Sequence, residues 1–329
     1  MCDKKNIPYK SLNSGTIEIE ISSKENIYFP FPAIMCLYVS KKGHTSTVHS
    51  AGRNTSKFKK EIFSETNFCI VFNEQFKPFI HLFNGQSGIL DNLRVEIVSA
   101  NNKISSSIEP LIKPYESKII FLEDIFDIYS EGCQYFLKEK GSSNKKLKLD
   151  DDYCIFIRGR CENIFPRFIV GNFDVINNYP CVTHSFREIV EEDYFSNINN
   201  NLSASTIALP IPSEDIKLKL KIFPTISPNK TNIDIHIHNL KDLREIKSYT
   251  NINLSTNKGK VIFENISKEN SPGYGLVAKV NNPNEKLPTR IPVNLLFSLN
   301  ENSASLPTDI ALQFRTNATR LKRNFWYNN

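Results

Sequence analysis

The stretch Phe165–Glu188, FPRFIVGNFDVINNYPCVTHSFRE, decides the fold. It opens as an apolar run of strand length and passes through a polar, Asn-containing turn. It then continues as a second short run ending in His184, Ser185, Arg187 and Glu188. Two apolar runs joined by turn residues read as paired strands. A second version stands at Phe31–Arg53, FPAIMCLYVSKKGHTSTVHSAGR. Both begin with Phe-Pro, both reach His-Ser at nearly the same distance, and both carry an Arg shortly after. A third Pro-led strand, Ile291-Pro-Val-Asn-Leu-Leu-Phe-Ser-Leu, echoes them, with Leu306-Pro-Thr-Asp-Ile where the others have His-Ser. Pro32, Pro166 and Pro292 recur roughly 130 residues apart, too far for a solenoid repeat and about one β-domain.

The rest of the chain repeats this style. Thr16-Ile-Glu-Ile-Glu-Ile, Leu93-Arg-Val-Glu-Ile-Val and Asn232-Ile-Asp-Ile-His-Ile-His alternate polar and apolar residues, the period of a half-buried strand. Ala33–Val39, Phe68–Phe72, Phe79–Phe83, Tyr153–Arg158 and Arg167–Phe173 are apolar runs of strand length. Ala100-Asn-Asn-Lys is a hairpin turn signal, and Glu123–Tyr129 suits a short helical turn. Gly132–Asp152, with its opposed basic and acidic clusters, reads as an exposed loop or insertion. No long stretch carries a 3.6-residue period. The expectation is an all-β protein of two related β-sandwich domains, jelly-roll or immunoglobulin-like, arising from an internal repeat. Residues 1–190 form the first, with a polar insertion at 132–152. Residues 191–205 are a linker, and 206–329 form the second, ending in a basic-aromatic tail.

The composition is that of a globular chain: 329 residues, 40% hydrophobic, 23% charged, net charge +6. So mild a positive balance permits an anionic partner without demanding one. Seven cysteines at wide spacing contain no Cys-x-x-Cys pair, which argues against a zinc knuckle or a dithiol redox motif. MCDKKNIPYKS lacks the apolar core of a signal peptide, and no run approaches a membrane span. A reduced, cytoplasmic setting is expected.

The order of elements in Phe79–Ser185 resembles the sensory rhodopsin transducer family of small β-sandwiches. The residues that carry this are the strand Val95-Glu-Ile-Val, then Ile112-Lys-Pro before Ile119-Ile-Phe-Leu, an apolar strand pair, and the terminal Thr183-His184-Ser185. The resemblance implies an oligomerising cytoplasmic binding module without a catalytic centre.

Three constellations carry chemistry. His49, Ser50 and Arg53 in one version match His184, Ser185 and Arg187 in the other. Adjacent strand residues point to opposite faces, so His-Ser is no catalytic pair by itself, and no Gly-x-Ser-x-Gly elbow is present. The functional reading is a polar patch at a sandwich edge, where His49, Arg53, His184, Ser185 and Arg187 hold an anion or sugar hydroxyls. The structural alternative is that His and Ser tie a strand end to backbone. Second, Asp234, His236 and His238 share one strand face, a ligand pattern for zinc or iron, or else a solvated face. Asp150–Asp152 lack the spacing of a calcium loop. Third, Arg320, Lys322, Arg323, Phe325, Trp326 and Tyr327 mix cations with aromatics, as nucleic-acid-binding tails do, although six such residues at a terminus are more often a docking strand or a solvated end. Phosphate-cradling glycine loops are absent. The leading expectation is a non-enzymatic binding or assembly module, self-associating as a homo-oligomer, with a saccharide or small anionic ligand. A metal-dependent enzyme at Asp234, His236 and His238 is the alternative, and nucleic-acid binding by the tail a third.

Overall fold

A computed structural model shows an all-β chain built from several antiparallel sheets. Its strands begin with β1 (Ala33–Val39), β2 (Thr45–Ala51), β3 (Glu61–Asn67), β4 (Phe76–Phe83), β5 (Ile89–Ser99), β6 (Lys103–Ile108) and β7 (Ser117–Phe121). One helical turn, α1 (Leu122–Ile125), leads into β8 (Phe126–Glu131), β9 (Gln134–Glu139), β10 (Lys146–Lys148), β11 (Tyr153–Glu162), β12 (Ile169–Asp174), β13 (Tyr179–His184) and β14 (Phe186–Arg187). Then come β15 (Tyr194–Phe195), β16 (Ser203–Ala204), β17 (Ile207–Pro210), β18 (Lys217–Ile222), β19 (Thr231–Asn239) and β20 (Glu245–Leu254). The series closes with β21 (Lys260–Phe263), β22 (Gly273–Val280), β23 (Leu287–Pro288), β24 (Arg290–Ser298) and β25 (Leu306–Arg315). Beside these elements the structure describes residues 24–25, 74–75, 84, 109, 112–114, 116, 132, 140–141, 168, 175–178, 185 and 241–244.

Two sheets share the main core. A five-stranded sheet runs β14-β3-β11-β5-β6, and a four-stranded sheet runs β13-β12-β4-β7. One apolar cluster draws on both: Phe63, Leu93, Val95, Ile97 and Ile157 from the first, and Ile80, Leu82, Ile120 and Val170 from the second. Alternation puts these residues on the inner faces, as period-2 patterning dictates. Phe63 and Phe168 meet edge to face at 5.4 Å between centroids, an aromatic link across the sandwich. A three-stranded sheet, β10-β9-β8, closes one end of this core with Phe126, Leu137 and Leu147. The stretch expected as an exposed insertion therefore contributes two strands. Its Leu147 is 1% exposed, because Lys146-Leu147-Lys148 alternates and turns its one apolar side chain inward. Residues 149–152 lie outside the described residues.

The later strands form a nine-stranded sheet ordered β20-β19-β22-β16-β25-β24-β18-β21, with β17 also paired to β22. The stretch expected as a linker supplies β15, paired with β23, and β16, a member of this sheet. Ile233, Ile235, Ile237 and Ile252 are buried under it. Thr16–Ile21 and Phe68–Phe72, read as strands above, lie outside the described residues.

Each of the three Pro-led stretches forms an antiparallel hairpin. In β1–β2 His49 stands opposite Met35, the third residue after Pro32. In β12–β13 His184 stands opposite Ile169, the third residue after Pro166. In β24–β25 the third residue after Pro292, Leu295, stands opposite Thr308. The surrounding sheets differ in strand number: two, four and nine.

Candidate functional site

At Ser185 the chain leaves the four-stranded sheet and enters the five-stranded one as β14. Its backbone N–H donates to the Phe168 carbonyl at 2.8 Å. The Phe168 N–H donates back to Ser185 Oγ at 2.9 Å. The Ser185 hydroxyl in turn donates to Glu65 Oε2 on β3, at 2.7 Å. Ser185 is 0% exposed and Glu65 3%. A buried carboxylate and a buried hydroxyl are thus paired with each other, as burial demands, and the pair ties the two sheets together where the strand crosses. His184 is also buried, and its Nδ1 donates to the Ser185 carbonyl at 2.9 Å. β2, which carries His49, approaches β13, which carries His184. Arg187 is paired in register opposite Glu65. Arg53 lies outside the described residues. The hydrogen bonding of His184 and Ser185 therefore holds strand ends in place.

The second constellation lies on the β19–β20 hairpin. The three isoleucines of Ile233–Ile237 face the core, while Asp234, His236 and His238 share the outer face. Each polar residue bonds locally. Asp234 Oδ1 accepts the N–H of Asn251 at 2.7 Å. Asn251 has φ +58 and sits where the register shifts between Ile233 and Ile235, so Asp234 secures a bulge. His236 Nδ1 meets Glu245 Oε2 at 2.8 Å, and His238 Nδ1 donates to the Leu243 carbonyl at 3.0 Å. The bond from His236 holds the Glu245 carboxyl below its ordinary range. Among the described residues no group of three or more His, Cys, Asp or Glu is placed to hold a metal ion.

A third arrangement was not singled out in the sequence. On the outer face of the five-stranded sheet, Glu96 of β5 is only 2% exposed. Three cations from three adjacent strands converge on its carboxylate. Arg94 Nε reaches Oε1 at 3.1 Å, Lys103 Nζ reaches the same oxygen at 2.8 Å, and Arg158 pairs with Oε2. Arg94 also donates to Ser105 Oγ at 2.9 Å, and Arg158 to Ser64 Oγ at 3.0 Å. The Arg158 guanidinium lies 4.9 Å from the Phe156 ring centroid, covering that ring. Two residues along β11, Arg160 pairs with Asp91 at 3.1 Å.

Local chain chemistry explains the placement. Leu93-Arg-Val-Glu-Ile and Ile155-Phe-Ile-Arg-Gly-Arg alternate, so every second residue turns outward. Register then sets Arg94 directly opposite Arg158. Like charges directly opposite each other destabilise a sheet, and Glu96 between them offsets that repulsion. Glu96 itself would be costly to bury unpaired. The side chains of Arg94 and Lys103 stay about half exposed, at 51% and 47%. Within this group cations outnumber the carboxylate three to one. Such a face can hold a carboxylate, sulfate or phosphate group through charge-assisted hydrogen bonds.

The signal available in the sequence was Arg-x-Glu on one strand and Arg-x-Arg on another. Nothing short of strand pairing brings them together. The basic-aromatic tail at 320–327 lies outside the described residues. Among the described residues no helix is long and apolar enough to cross a membrane. Comparison with known proteins gives no matching family, no matching curated protein and no matching solved structure.

Proposed function

We propose that this chain is a non-enzymatic binding module whose ligand is a saccharide bearing acidic groups, taken up on the outer face of the five-stranded sheet. The observation that carries the reading is the meeting of Arg94, Lys103 and Arg158 on buried Glu96. Glu96 and the Ser64 and Ser105 hydroxyls fix the cations in place, so little side-chain entropy is lost on binding. The half-exposed ends of Arg94 and Lys103 present donors to a ligand anion. Ser107, exposed and opposite Arg94, adds a hydroxyl suited to a sugar. The competing account is an ion network that only neutralises buried Glu96 and stiffens the sheet.

Titration calorimetry separates the two. The probes are a heparin-derived oligosaccharide, which is acidic, and a dextran oligosaccharide, which is neutral. Saturable binding of the acidic probe alone is expected, weakened at least about tenfold in Arg94→Ala/Lys103→Ala, the scale of one or two lost charge-assisted bonds. Equal affinity of that variant and the parent protein would overturn the reading.

A further inference from the structure

The outer face of the β19–β20 hairpin holds a feature that acidic-ligand binding does not use. His236 and His238 stand two residues apart on one strand, and both rings engage a neighbour through Nδ1. The partner of His238 is a backbone carbonyl, which only accepts. Its Nδ1 therefore carries the proton, and in the neutral ring Nε2 holds the lone pair. The partner of His236 is the Glu245 carboxyl group, whose Oε2 lies 2.8 Å from Nδ1. It too calls for Nδ1–H and leaves Nε2 as the basic nitrogen. Among the described residues neither Nε2 takes a hydrogen bond. Carboxylate or carbonyl behind one ring nitrogen, with the other presented outward, is the outer shell that metal-binding histidines require. It fixes tautomer and ring orientation and raises the basicity of the free nitrogen.

We infer that His236 and His238 together chelate one divalent transition metal ion of the imidazole-preferring group, such as Zn²⁺ or Ni²⁺, through their Nε2 atoms. Strand residues two apart share a face about 6.6 Å apart at the backbone, and two metal–nitrogen bonds of about 2 Å lie within reach of both rings. Asp234 stands outside the pair. It is one step further along the strand, and its Oδ1 secures the Asn251 bulge. The site is thus a two-histidine chelate rather than a three-ligand centre, in keeping with the want of any larger ligand group among the described residues. Water fills the remaining positions. Glu245 and the Leu243 carbonyl are positioning groups, acting on the metal through the rings.

The test uses the full chain, stripped with chelator and dialysed, and titrated with ZnCl₂ and separately with NiCl₂ by calorimetry. One saturable equivalent is expected that weakens at least about tenfold in His236→Ala and in His238→Ala. Glu245→Gln should weaken it about tenfold, the usual effect of losing an outer-shell partner, with an unchanged urea midpoint. The cysteines provide a common background in all four proteins, so only the difference is read. Identical binding in parent and histidine variants overturns the inference, as does no binding at all. Should an alanine variant fail to fold, imidazole ¹⁵N spectra of the parent protein decide. Both Nε2 resonances move on adding ZnCl₂ if the chelate forms, and stay in place if it does not.

Discussion

Ser185 shows how much one side chain can hold. Its hydroxyl accepts from the Phe168 N–H and donates to Glu65, all within the buried seam between two sheets. Ser185→Ala leaves a buried N–H and a buried carboxylate each short of a partner. Each buried bond lost in this way costs about 1–3 kcal/mol, so a loss of about 3 kcal/mol is expected in urea unfolding. A loss under about 0.5 kcal/mol, the level of an indifferent surface change, would mean that the seam does not depend on this bond. His81 makes a different prediction. It lies on the outer face of the four-stranded sheet, opposite Ile119 on β7 and Ile169 on β12. Its Nε2 is buried with no hydrogen-bond partner, and burial pushes its pKa below the ordinary value. The unfolded chain protonates this ring near pH 6.5 while the folded chain resists. Above that pH the two states bind protons equally. Below it the unfolded state binds more, so stability falls as the solution is acidified. Thermal melts from pH 8 to pH 5 should show this decline, and His81→Leu should flatten it. An equal decline in both proteins would assign the effect to other groups.

Among the elements, the β12–β13 hairpin is held at both ends by different means. At its turn, Asp174 collects four bonds: from the backbone N–H groups of Ile176 and Asn177, from Asn177 Nδ2 and from Gln75 Nε2. Burial alone would raise the carboxyl; these bonds outweigh it and hold Asp174 below its ordinary value. Asn178 takes φ +52, a left-handed position that asparagine tolerates. The turn is therefore rigid although Ile176 at its tip is 68% exposed. Asp174→Ala should cost about 2 kcal/mol, seen by denaturation and as faster amide exchange at Val175–Asn178. Midway along, Gly171 lies so close to β13 that an added Cβ would overlap the Cys181 carbonyl oxygen. Backbone stands on the far side of that contact, so Gly171→Ala must part the strands and should cost on the order of 4 kcal/mol. Gly159 is also crowded, by Leu93 Cδ2 at 2.6 Å and the Asp91 carbonyl at 3.0 Å. The leucine tip can move, so Gly159→Ala should cost less. The reverse order of the two costs would show that β13, not Leu93, is the part that yields.

For the whole molecule, net charge says little, because at ordinary salt a charge is felt only over about 8 Å. What matters is where cations gather. The proposed saccharide face has its own small field, and raising salt from about 0.05 to 0.5 M should weaken binding of the acidic oligosaccharide markedly. Lys118→Gln, a change on the other sheet of the sandwich, should leave both affinity and salt dependence unchanged. If it alters them as much as Arg94→Ala/Lys103→Ala does, binding is diffuse and not seated at Glu96.

Much of this could be read from residue order alone. Alternation in Leu93–Val98 and Asn232–His238 determined strands and their buried faces, because period 2 is a local property of an extended chain, and the apolar runs at Ala33–Val39 and Tyr153–Arg158 marked strands by their length. The isoleucine-in, histidine-out face of β19 was legible for the same reason, and the hairpins at Phe31–Arg53 and Phe165–Glu188 from two short runs joined by turn residues. Gly132–Asp152 was harder, since its abundant charge concealed two inward residues, Leu137 and Leu147. The tertiary structure alone decided what distant residues do together. Glu65 and Ser185 are 120 positions apart, and Arg158 meets Glu96 across 62. Such meetings follow from strand order and register, which arise from the packing of whole sheets and leave no mark on the neighbours of either residue.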